Sequence, residues 1–126
     1  MTATDIVYFL EDDGMTPVQD WLEEMYRRDE RIVEKCLDRI ELLAERGYQL
    51  QRPFASRLRN GIYEIRVRFG SVNYRILYFF HENKAVLAHG LTKEAEVPDK
   101  DIALAVQRKN KFVLNPKQHT SSEELE

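Results

Sequence analysis

Cysteine is nearly missing, with Cys36 alone among 126 residues. One thiol excludes an internal disulfide and a cysteine-built zinc site, and it suits a reducing cytoplasm. No apolar run approaches the roughly 18 residues that would suggest a membrane span. The opening "MTATDIVYFLEDDG" lacks a basic region followed by an apolar stretch, so no secretion signal is expected. Glycine is scarce and forms no phosphate-cradling loop, and the three histidines are scattered without a His-x-x-x-His pair. Neither a metal nor a nucleotide cofactor is therefore expected. Internal repeats are also lacking.

Positive charge is in the minority overall, for a net charge of −3, but it is unevenly spread. Residues 1–46 hold 6 Lys/Arg against 13 Asp/Glu, residues 47–93 hold 8 against 2, and residues 94–126 hold 5 against 7. A basic block between acidic ones marks a local anion site, because binding follows the local field rather than the total charge.

The patterning predicts one α+β domain over residues 1–112, followed by a polar, disordered tail over 113–126. "DIVYFL" at 5–10 is β-prone. Thr16 and Pro17 open a first helix, and Asp29 opens a second, which Gly47 ends. Three strands are expected at about 62–69, 72–80 and 84–91, joined by short turns into an antiparallel meander. A short C-terminal helix follows, with Asp99 as its expected cap and Ile102, Leu104 and Val106 partly buried. The helical hairpin then packs on one face of a small, mostly antiparallel sheet, against Tyr63, Ile65, Val67 and Phe69 and against Tyr74, Ile76, Tyr78 and Phe80.

The other face, expected to be open, carries Glu64, Arg66, Arg68, Asn73 and Arg75 beside apolar Leu77 and Phe79. A wet sheet face is normally polar, but here the polar positions are mostly arginine. Arg52, Arg57 and Arg59 approach the same sheet from the preceding segment. The planar guanidinium suits bidentate contact with phosphate oxygens and keeps its charge. The cluster points to a phosphate backbone.

"NGIYEIRV", "YRILYFF", "VLAHGLTK" and "VPDKDIALAVQRKNKF", in that order, resemble the HigB-like, phage-derived branch of the RelE/ParE toxin superfamily over about residues 5–112. The resemblance implies a type II toxin, neutralised by a cognate antitoxin that is a helix-turn-helix protein encoded nearby. RelE and HigB members cut mRNA on the ribosome, whereas ParE members poison DNA gyrase without cutting. The expected function is therefore a ribosome-dependent mRNA endonuclease that inhibits translation in the cytoplasm. The alternatives are a ParE-like gyrase inhibitor and a degenerate RNA-binding member.

The resemblance puts Arg75 at the phosphate-contacting, transition-state-stabilising position of RelE-like nucleases, and Arg66 at a basic position of the preceding strand. Glu64 stands where RelE has lysine. Of a lysine pair after the third strand only Lys93 is kept, beside Thr92 and Glu94, and Ile102 lies near the position of RelE's last-helix tyrosine. Metal-free RNA cleavage through the 2′-hydroxyl needs a base, an acid and cations for the charge developing on phosphorus. Arg75 and Arg66 are the candidate cations, Glu64 the candidate base, and Lys93 a proton acceptor or donor. Arg57, Arg59, Arg68, Asn73 and His89 are the candidate RNA contacts.

Overall fold

The computed structural model describes residues 3–92 and 95–121. The elements are β1 (Asp5–Tyr8), α1 (Pro17–Arg28), α2 (Glu30–Arg46), β2 (Ala55–Arg57), β3 (Tyr63–Phe69), β4 (Val72–His81), β5 (Lys84–Thr92) and α3 (Asp99–Leu114). The five strands form one sheet in the order β1-β5-β4-β3-β2, with β1 parallel to β5 and the other pairs antiparallel. The expected α+β architecture is present. The three-residue β2 was not anticipated.

Asp29 explains the tight hairpin of α1 and α2. Its backbone N–H donates to the Met25 carbonyl and closes α1, while its side chain accepts from the Arg31 N–H and opens α2. One residue thus satisfies orphan groups of both helix ends. Val18, Leu22 and Met25 of α1 and Ile32, Cys36, Ile40 and Leu43 of α2 bury one continuous apolar stripe against Ile65, Val67, Tyr74, Ile76 and Tyr78. The strand faces fall as the alternation predicts. At Gly90 the indole of Trp21 lies so close that a Cβ there would collide with it, so glycine sets the distance between α1 and β5.

The opposite face is not open. A second core of Leu77, Phe79, Val86, Ala88, Ile102, Ala105 and Phe112 fills it beneath α3, with the Phe79 and Phe112 rings edge to face at 5.7 Å. Leu77 and Phe79 gave the signal, since two large apolar residues on a wet face need a cover. Only the end of the sheet at β2, β3 and the start of β4 escapes α3. Pro98, rather than Asp99, occupies the cap position of this helix.

The tail also departs from expectation. α3 runs to Leu114, and residues 115–121 fold back over β1. His119 is buried and stacks on Phe9 at 5.2 Å, and its Nδ1 lies 2.8 Å from the Leu10 carbonyl oxygen. Polar composition concealed this anchor, because it is made by backbone hydrogen bonds to Tyr8 and Leu10 and by one buried imidazole, none of which local hydropathy reveals. The remainder of the expected tail, 122–126, lies outside the described residues. Among those described, no helix is long and apolar enough to cross a membrane.

Candidate nucleic-acid interface

The β3–β4 register places Arg66 directly opposite Arg75, and Glu64 opposite Leu77. Glu64 and Arg75 are therefore diagonal neighbours on one face, within reach of long side chains. One terminal nitrogen of Arg75 donates to Glu64 Oε1 at 2.7 Å, and the other donates to the Ala95 carbonyl at 2.9 Å. Ser56 of β2 donates its hydroxyl to Glu64 Oε2, also at 2.7 Å. Both ionic side chains are about 95% buried, at 5% and 6% exposure. Neither charge is tolerable there alone, and this mutual satisfaction makes the burial possible.

This pair forms the floor of a cleft of about 310 Å³. Arg52, Arg57 and Arg59 line it, all three exposed, with Val97 and Ile102 as its apolar side. Arg59 is held by Asp99 at 2.6 Å, a solvent-exposed pair. Among the described residues Arg52 and Arg57 have no ion-pair partner. Glu96, also exposed, lines the cleft as well, so it is Arg52 and Arg57, above a floor whose charges cancel, that are placed to take an anion.

Arg66 does not open into this cleft. It lines a second one of about 320 Å³, at the edge of β3 beyond the end of β2, together with Arg39, Pro53, Phe54, Arg68 and Asn73. The arginine row of the sequence is thus divided in two. Arg57 and Arg59 share a cleft with Arg75 and Glu64, whereas Arg66, Arg68 and Asn73 share the other. His89 lines neither cleft, and its Nε2 lies 2.7 Å from Asp101 Oδ1 at the start of α3. Lys93 lies outside the described residues.

Sequence reasoning missed Ser56, Ala95 and Arg39. Ser56 and Ala95 carry no compositional mark, since a hydroxyl and a backbone carbonyl become partners only through the strand order. Arg39 did leave a signal, in its four-residue spacing from Lys35 and Arg31.

A sheet wrapped by a helical hairpin and a terminal helix, with an arginine-walled cleft at one end, defines a small α+β protein with a basic cleft. Residues 20–110 match the family described as Phage derived protein Gp49-like (DUF891). The match covers most of the chain, which belongs to this family. It is a family of RelE-like toxin domains, and a toxin of this kind has an antitoxin as its partner. No curated protein matches the chain closely enough to carry a role across.

Proposed function

We propose that the protein is the toxin of a type II toxin–antitoxin pair, acting in the cytoplasm as a HigB-like, ribosome-dependent mRNA endonuclease. The observation that carries this is the cleft with Arg52, Arg57 and Arg59 on its walls and the Arg75–Glu64 pair on its floor. The wall arginines take the phosphates on either side of the scissile bond. Arg75, aimed by Glu64 and the Ala95 carbonyl, supplies fixed positive charge to the phosphoryl oxygens as negative charge builds there. Loss of one such preorganised donor costs on the order of 10²–10³ in rate.

In the cleavage step the 2′-oxygen attacks the adjacent phosphorus and the bond to the 5′-oxygen breaks. The products are a 2′,3′-cyclic phosphate and a free 5′-hydroxyl. Glu64 keeps a lone pair on each oxygen after its bonds to Arg75 and Ser56, and it accepts the 2′-hydroxyl proton. Lys93 is the donor to the leaving oxygen. It is two residues from Ala95, whose carbonyl meets Arg75. The antitoxin, a helix-turn-helix protein encoded nearby, blocks the cleft or its access to the ribosome.

One observation favours a second reading, RNA binding without cleavage. The buried Glu64 and Arg75 satisfy each other, as a purely structural pair would.

Inducing wild type and R57A/R59A in cells, then mapping mRNA 5′ ends, tests the proposal. Growth arrest with codon-phased cuts is expected for wild type, and loss of both for the variant. Arrest with intact transcripts would defeat the nuclease reading and point to another target such as gyrase.

A further inference from the structure

α2 lies in the acidic third of the chain, yet its face toward the sheet edge is basic. Arg31, Lys35 and Arg39 recur at every fourth residue, stepping about 6 Å along the helix axis each time. Each sits over an aromatic ring: Arg31 and Lys35 over Phe69 at 5.3 and 5.8 Å, Arg39 over Phe54 at 5.1 Å. The rings hold this cationic row against the end of β3 beyond its ladder with β2, which spans 63–65 and is continued only by the Arg66 N–H donating to the Phe54 carbonyl.

The row ends in the second cleft. Arg31 is engaged by Asp29 at 2.8 Å, and Lys35 donates to the Arg68 carbonyl at 3.2 Å. Arg39, Arg66 and Arg68 have no ion pair among the described residues, and the cleft they line contains no carboxylate. The Nε of Arg39 is enclosed and without a hydrogen-bond acceptor. Three guanidiniums gathered in a cleft lined by no carboxylate repel one another, and an anion with several acceptor oxygens relieves that repulsion. Planar guanidiniums match phosphate oxygens in geometry as well as charge.

The two clefts adjoin along one short segment. Arg52 lines the first, Pro53 and Phe54 line the second, and Ser56 and Arg57 return to the first. This continuity favours a polynucleotide strand over an isolated anion. Asn73 adds an amide that can both donate to and accept from a base edge.

We propose that the Arg39–Arg66–Arg68 cleft is a second phosphodiester subsite, gripping the same RNA strand a few nucleotides from the bond to be cut. The subsite rests on the RNA reading of the first cleft and adds a separate grip to it. It sets how long an RNA must be to bind well, and its loss weakens capture rather than chemistry.

The test is fluorescence anisotropy of a short single-stranded RNA, 2′-O-methylated so that it is not cut, titrated at several salt concentrations with wild type, R39A/R68A and R57A/R59A. Thermal melts confirm that each variant is folded. For R39A/R68A the expected result is a loss of about tenfold or more in affinity, with a log–log salt slope shallower by about 0.7 for each lost phosphate contact. Unchanged affinity in R39A/R68A alongside a loss in R57A/R59A would overturn the second subsite and leave the first standing. A loss of affinity with an unchanged slope would also overturn it, because lost packing alone does not alter counterion release. No binding by wild type would overturn both. Retained RNA binding with loss of binding to a glutamate-rich peptide would assign the cleft to an acidic protein partner instead.

Discussion

Arg75 donates to Glu64 at 2.7 Å across the β3–β4 pair, and less than a tenth of either side chain is exposed. The arginine most conspicuous in the sequence is therefore held by a carboxylate two positions along the neighbouring strand. Ser56 of β2 donates to the carboxylate's other oxygen. The accessible cations of this cleft are instead Arg52, Arg57 and Arg59 on its walls.

Replacing Arg75 by alanine strands a buried carboxylate. R75A should lose about 3–5 kcal/mol of stability, as expected when one partner of a buried ion pair is removed. An apolar double replacement, E64L/R75M, should recover much of that loss while restoring no RNA cleavage. Urea unfolding of the three proteins checks this. An R75A protein as stable as wild type would show that the pair does not hold the strands.

Acid should weaken the contact between the β1 turn and α3. Burial alone would favour the neutral form of Glu11. The hydrogen bonds and charges of Arg108 and Lys111, at 2.8 and 3.0 Å, together outweigh it and hold the carboxyl below its usual range. A folded-state value lower than the unfolded one contributes stability that is complete above the unfolded value of about 4.3. That contribution fades as pH falls through the folded value. E11Q should cost about 1 kcal/mol at neutral pH, because the site is partly solvated. It should also flatten the decline of melting temperature below about pH 4.5 relative to wild type. Thermal melts across that range measure both effects.

Cys36 should be inert in the native protein. Burial pushes its thiol up to about 12, against a smaller opposing pull from Arg39. A disulfide-type thiol reagent at pH 8 should label the unfolded chain promptly and the native chain only at the rate of opening. Rapid labelling under native conditions would mean that α2 is less firmly docked than its packing indicates.

Much of the fold was legible because it follows from periodicity. Alternation assigned Ile65, Val67, Ile76 and Tyr78 to the hairpin side, and Asp29 and Gly47 marked helix ends by their own backbone preferences. The covered half of the opposite face is legible only from Leu77 and Phe79, two apolar side chains on a face whose other residues are polar. Residues 115–121 were misjudged because His119 and Phe9 are far apart in sequence and adjacent in space. The β3–β4 register sets Arg66, Arg68 and Arg75 on one side of the two strands, as alternation implies. The division of these arginines into two clefts depends on where β2 stops and where Phe54 inserts, which no local pattern encodes.

The most direct measurement is cleavage of a defined message on purified ribosomes by wild-type protein and by R57A/R59A of equal thermal stability, with the chemistry of the new ends determined. Wild type should produce 2′,3′-cyclic phosphate and 5′-hydroxyl ends, and the variant should produce few or none. Intact message with folded wild-type protein, or ends carrying a 5′-phosphate, would contradict a cleft that drives the 2′-oxygen onto its own phosphorus.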